Sequence, residues 1–182
     1  MSFDRQISHC RRCGSATELR LPDDGDTKLR PVCPTCSTVH YVNPLNVVGT
    51  LPVWENKVLL CLRNIEPRKG LWTLPAGFME LNETTAEGAL RETHEEAGAD
   101  IELSHLYSLI DVPRAGQVHF FYKARLLSTQ FNPGHETQRV HLFEESDIPW
   151  EQIAFTTVRE TLKRHFADMR ENKFNGFHQF LV

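Results

Sequence analysis

Between Gly77 and Ala99 the chain reads Gly-Phe-Met-Glu-Leu-Asn-Glu-Thr-Thr-Ala-Glu-Gly-Ala-Leu-Arg-Glu-Thr-His-Glu-Glu-Ala-Gly-Ala, and these 23 residues restrict the fold more than any other stretch. Thr84 to Ala97 has the marks of a helix, with Thr84 or Thr85 as N-cap and Gly98 as the C-terminal stop. At about 100° per residue, Glu92 and Glu96 lie roughly 40° apart and Glu95 about 60° on the other side of Glu92, so three carboxylates share one face. Ala86, Ala89, Leu90, Thr93 and Ala97 form a separate stripe, small enough to press against a sheet.

Neighbouring like charges destabilise a bare helix by about a few tenths of a kcal/mol per pair, and a divalent cation removes that penalty. Carboxylate oxygens are hard ligands for Mg²⁺ or Mn²⁺, and Mg²⁺ keeps part of its shell for water and substrate phosphates. Phosphate chemistry is therefore expected. Gly77 lets the backbone approach such an ion and offer its carbonyl. Arg91, one turn before Glu95, is placed to pair with Glu95 or Glu83 and fix a carboxylate's direction. The bland alternative for all of these acids is a solvated helix face.

Four of the five cysteines form two pairs, Cys10-Arg-Arg-Cys13 and Cys33-Pro-Thr-Cys36, with 19 residues between them. That spacing suits a four-thiolate metal site, which would be structural because no coordination position stays open. Zinc is the expected ion; iron in a rubredoxin-like site and two disulfides are the alternatives. Thr17–Leu21 and Lys28–Val32 read as short strands around a turn at Pro22–Asp26. So small a segment cannot bury enough core, and the metal would supply its folding energy. His9 and His40 flank the cysteines and are expected at the surface, whereas Cys61 reads as a buried small hydrophobe.

At 182 residues the chain has room for a ribbon module, 1–40, and one ordinary domain, 41–182. In that domain, 46–54 and 57–63 form an expected hairpin, 71–76 a short strand, 101–111 and 117–127 paired strands, and 139–143 a further strand. Residues 155–169 have a helical pattern. Phe120 and Tyr122 should face one side and Phe121 the other, in core packing or stacked on a flat ligand ring. The mixture points to an α+β fold, a mixed sheet between helices. A net charge of −4 provides no global attraction for nucleic acid or anionic membrane, so a small soluble ligand is the expected partner. The opening Met1–Arg5 lacks a following apolar segment, and a cytoplasmic protein is expected. Arg5, Arg11 and Arg12 cluster by the first cysteine pair, which keeps a zinc-ribbon nucleic-acid-binding module as the rival reading.

Gly77, Glu83, Arg91, Glu92, Glu95, Glu96 and Gly98 stand in the register of the Nudix box, and the chain resembles the Nudix hydrolases. Thr93 and Ala99 depart from it, since the pattern prefers bulky aliphatics there. The resemblance implies a Nudix α/β/α sandwich, catalytic Mg²⁺ or Mn²⁺ held by Glu92, Glu95, Glu96 and Gly77 with Glu83 as a further candidate, and a catalytic role for Arg91. It also implies an additional glutamate downstream: Glu136 is the candidate, with Glu144 and Glu145 as competitors, and either Glu95 or Glu136 takes the proton. The cysteine ribbon followed by segments 41–49, 57–67, 70–77, 111–117, 142–143 and 147–149 further resembles the FAD and ADP-ribose pyrophosphatase subgroup, which includes plant chloroplast enzymes. FAD, split to FMN and AMP, or ADP-ribose is the implied substrate, with NADH, NAD or NAD-capped RNA as alternatives. The Ser-Gln-Pro-Trp-Pro-Phe-Pro-x-Ser array of NADH pyrophosphatases does not follow Ala99, and Ala115 stands where many ADP-ribose pyrophosphatases have proline. Zinc ribbons can also support a homodimer, although no dimer surface is legible.

Overall fold

The computed structural model describes residues 7–173 and 175–182, and Arg5 lies outside them. It divides into two compact units, Met1–Pro44 and Leu45–Val182.

In the first unit, β1 (Glu18–Arg20) pairs antiparallel with β2 (Arg30–Val32). Both are shorter than the sequence pattern suggests, and ahead of β2 the aspartates of the turn claim the amides. Asp24 Oδ1 accepts from Asp26 N at 3.0 Å, and Asp26 Oδ1 accepts from Lys28 N at 2.9 Å. The cysteines form no disulfide. Their four Sγ atoms lie within 4.8 Å of one another, with Cys10–Cys36 at 3.6 Å and Cys13–Cys33 at 3.4 Å. A tetrahedron with Zn–S bonds of ~2.3 Å has edges of about 3.8 Å, so the thiolates fit a single zinc ion. Without a cation they do not ionise together: burial pushes Cys33 up to about 11, while the Thr38 hydroxyl draws Cys36 down to about 6. His9 is exposed as expected. His40 corrects the expectation, being 7% exposed with Nε2 unpartnered, because its backbone N–H is tied to Pro31 O beneath β2.

The second unit contains β3 (Leu45–Trp54), β4 (Lys57–Arg63), β5 (Trp72–Thr73), β6 (Ala76–Phe78), α1 (Thr85–Ala97), β7 (Ile101–Val112), β8 (Gln117–Leu126), β9 (Thr137–Phe143), α2 (Thr156–Arg170) and β10 (His178–Leu181). The β3–β4 hairpin pairs only near its tip, at Val53↔Val58 and Trp54↔Lys57. From there the strands part. Strand β3 runs between β8, to which it is parallel, and β6, while β4 runs between β9 and β5. Strand β7 joins antiparallel β8 to parallel β10, completing a mixed sheet.

The single strand expected over 71–76 is two strands, because Pro75 has no N–H to continue a ladder and the chain crosses there from β4 to β3. Strand β10 has no counterpart in the sequence reading. Phe121 enters the core with Leu51, Leu60, Tyr107, Leu162 and Phe166, and Cys61 is buried beside Leu59, Ala97 and Leu126. Helix α1 lies against β3, where Thr50 and Thr93 hydroxyls meet at 2.6 Å. That approach leaves room only for Gly88, Ala89, Thr93 and Ala97, so Leu90, expected on the buried stripe, is 38% exposed. Among the described residues no helix is long and apolar enough to cross a membrane.

Burial pushes His119 and His165 down to about 4. An unfolded chain titrates its histidines near 6.5, so as pH falls from about 6.5 towards 4 it gains protons that the folded unit refuses, and stability falls. Glu96, also buried, acts in the opposite sense. Its carboxyl is raised to about 8, and from about 4.5 to 8 the folded unit retains a proton that the unfolded chain has released, so stability falls as pH rises. On the acid side the two histidines outweigh Glu96 together with the lesser rise at Glu92. Thermal denaturation in magnesium-free buffer should therefore give the highest melting temperature of residues 45–182 at about pH 6.5, with lower values near pH 5 and pH 8. Metal analysis should find one zinc per chain, and a strong chelator should collapse the NMR dispersion of residues 8–42.

Candidate active site

Helix α1 is fixed at both ends. Thr84 Oγ1 accepts from Glu87 N at 3.1 Å and Glu87 Oε2 accepts from Thr84 N at 2.7 Å, a reciprocal capping box. At the other end Gly98 adopts the left-handed conformation and donates to His94 O at 2.8 Å. The carbonyls of Ala97 and Glu96 then receive Asn132 N at 3.1 Å and Gly134 N at 3.3 Å. A Cβ at Gly134 would lie 2.0 Å from Glu95 O, so only glycine allows the loop this close. On its far side the loop is held by Asn64, which donates to Glu136 O at 2.7 Å and His135 O at 2.9 Å.

These ties put Glu136 beside the acids of α1. Its charge raises the proton affinity of both Glu92 and Glu96, although burial is the larger cause for each. Glu96 is 7% exposed and accepts from Ala76 N at 2.9 Å. Glu92 lies over Gly77, where a Cβ would come within 2.3 Å of Oε1. Glu95 is exposed and meets Arg91 at 3.1 Å. The Arg91 guanidinium grips Glu83 through Nε and Nη2, at 3.0 and 2.9 Å, and reaches Glu92 at 2.7 Å. That grip draws Glu83 down to about 2.

Glu92, Glu95, Glu96, Gly77, Arg91, Glu83 and Glu136 thus lie together. The competing glutamates do not join them: Glu144 pairs with Lys57 at 3.7 Å and Glu145 with Arg170 at 2.7 Å. Arg63 was not foreseen. It is 9% exposed, its Nε donates to Pro67 O at 2.9 Å, and its charge stabilises ionised Glu96. A lone arginine closing the apolar run Val58–Leu62 is the sequence signal that marked it.

The donor set fits a hard divalent cation. Burial raises the proton affinity of Glu96 and Glu92, which a cation would offset, and their oxygens are the ligand type that Mg²⁺ and Mn²⁺ prefer. Among the described residues only the cysteines bring three or more ligand atoms within 4.8 Å. The glutamate oxygens are engaged instead by Arg91 and the Ala76 amide.

Residues 44–169 match the family model described as NUDIX domain, and residues 8–42 match a zinc-ribbon model described as Nudix N-terminal. A crystal structure of a NUDIX hydrolase from Nitrosomonas europaea is 47% identical, with a TM-score of 0.91, and the match covers 97% of this chain and 99% of that one. An ADP-ribose pyrophosphatase of Methanocaldococcus jannaschii is 29% identical over 119 residues, 63% of this chain and 69% of that protein. The NAD-capped RNA hydrolase NudC of Photobacterium profundum is 28% identical over 81% of this chain, and the match spans 50% of NudC. The buried acids on a capped helix, the four-cysteine ribbon in front and these likenesses together make the chain a member of the Nudix hydrolase family.

Proposed function

We propose that the protein hydrolyses the pyrophosphate linkage of an ADP-containing nucleotide, with ADP-ribose and FAD as the leading substrates. The observation that carries this reading is the grouping of half-buried Glu92 over Gly77, buried Glu96 and Glu136, where burial and mutual repulsion raise the proton affinity of Glu92 and Glu96. Residues 1–40 act as a structural zinc module and 41–182 as the catalytic domain. Reduced cysteines suit a cytoplasmic protein.

Glu92, Glu95 and Glu96, with the Gly77 carbonyl, would hold Mg²⁺, and Glu83 acts through Arg91 instead. When bound, the ion neutralises the diphosphate oxygens and makes an attacking water more acidic. Glu136 takes the proton from that water as its oxygen attacks phosphorus and the bridging P–O bond breaks. Glu136 is preferred over Glu95 because its charge acts on both Glu92 and Glu96, whereas Glu95 is tied to Arg91 at 3.1 Å; the Glu136 side chain is half-exposed, with His135 at 3.6 Å. Arg63 holds Glu96 towards its ionised form, and the Ala76 amide fixes one of its oxygens.

A second reading has one specific support. The likeness to the NAD-capped RNA hydrolase extends over 81% of the chain, against 63% for the ADP-ribose pyrophosphatase. NAD, an NAD cap, FAD and ADP-ribose share the ADP half, so one site suffices for recognising that half, and the far side of the diphosphate distinguishes them.

Glu96→Gln is expected to lower kcat by about three orders of magnitude or more with the thermal transition retained, since the cation that would stabilise the developing negative charge loses an anionic ligand. Full activity of that variant at ordinary Mg²⁺ would refute the assignment. Turnover assays with Mg²⁺ over ADP-ribose, FAD, NADH, NAD, NAD-capped RNA and nucleoside triphosphates should give AMP from ADP-ribose and FAD at the highest kcat/KM. Hydrolysis confined to triphosphates would overturn the substrate class.

A further inference from the structure

Every nitrogen of the Arg91 guanidinium donates to the acidic cluster. Nε and Nη2 form the fork on Glu83, and Nη2 also donates to Phe78 O at 3.2 Å. Nη1 alone serves Glu92 at 2.7 Å and Glu95 at 3.1 Å. The two ends of this arrangement differ. Glu83 is anchored a second time, since its Oε1 accepts from Glu80 N at 2.7 Å, and its side chain is 13% exposed. At the Nη1 end each carboxylate is held at a single point, and the Glu95 side chain is 58% exposed.

The geometry points to an exchange at Nη1: when a divalent cation enters, Glu92 and Glu95 pass from Arg91 to the ion while the fork on Glu83 keeps Arg91 in place. This rests on the reading of Glu92, Glu95 and Glu96 as metal ligands and adds a role for Arg91 as the resident hydrogen-bond donor that holds Glu92 and Glu95 until the ion enters. Three carboxylates on one helical face repel one another, and a guanidinium contact relieves part of that repulsion in the metal-free protein. The same contact competes with the cation, so Arg91 weakens metal binding while holding the acids in register. It is a positioning residue, acting on the reaction through Glu92 and Glu95.

Calorimetric titration of Mn²⁺ into the full chain, with the ribbon loaded with zinc, tests the exchange. Arg91→Lys and Arg91→Gln should each bind Mn²⁺ about tenfold tighter than the wild type, the scale of one charge-assisted hydrogen bond. An arginine with a purely supporting role predicts the opposite sign, so unchanged or weaker binding in both variants overturns the exchange. Tightening in Arg91→Gln alone also overturns it, because lysine keeps the charge and lost charge would then be the cause. Wild-type protein that binds no Mn²⁺ and hydrolyses no substrate removes the metal-site reading and the exchange with it. A measurement on the unmutated chain avoids folding defects: on saturation with Mg²⁺ the Arg91 Nη signals should change in side-chain NMR while Nε–H stays protected by Glu83. Invariant Nη signals refute the exchange.

Discussion

Two hydrogen bonds, from Asn132 and Gly134 to the carbonyls of Ala97 and Glu96, close the last turn of α1 against the loop that carries Glu136. Helix ends present carbonyls without intrahelical partners, and here those orphans attach a distant segment of chain. The attachment has two consequences for the acids. It brings Glu136 near Glu92 and Glu96, and it helps cover the end of the helix so that Glu96 is buried. Close approach at Gly134, with no room for a side chain, is the condition for both.

From this arrangement the glutamates of one cluster acquire different properties. Glu83, gripped by Arg91 and by the Glu80 amide, is drawn down to about 2, whereas Glu96 is pushed up to about 8 by burial. Glu92 is raised too, even with Arg91 at 2.7 Å, because one shared N–H does not offset its loss of water. A residue type repeated along a helix thus separates into an anchor, Glu83, and acids that seek a cation. The separation comes from what each carboxylate touches, and spacing in the sequence contains only part of it.

Helical period was enough to place Glu92, Glu95 and Glu96 on one face and to locate the caps, since those depend on residues a few positions apart. The cysteine pairs were equally legible, because two short knuckles dictate where four sulfurs meet. What stayed hidden depends on contacts between distant segments. Arg63 is placed by the pairing of β4 with β9, opposite Thr137, β10 is a strand only because the edge of β7 is there to receive it, and Leu90 is turned out because the helix sits too close to β3. His40 is similar: nothing in its immediate sequence marks it as interior, and its backbone tie to Pro31 of β2 goes with its burial.

Thr93 shows how a departure from a family pattern can be structural compensation. Where a bulky aliphatic is preferred, this helix has a hydroxyl that donates to Ala89 O at 2.7 Å and meets Thr50 on β3 at 2.6 Å. Both threonines are fully buried. An aliphatic at 93 alone would leave the Thr50 hydroxyl without its partner, a loss of about 1–3 kcal/mol for a buried polar group. It would also thrust branched carbons into the helix–sheet contact, which is set by Thr50, Gly88 and Ala89. The pair at 50 and 93 is therefore one unit. Because Glu92 and Glu96 flank Thr93 on the same helix, the spacing fixed by that hydroxyl contact also fixes how far the acids stand from Gly77 and Ala76.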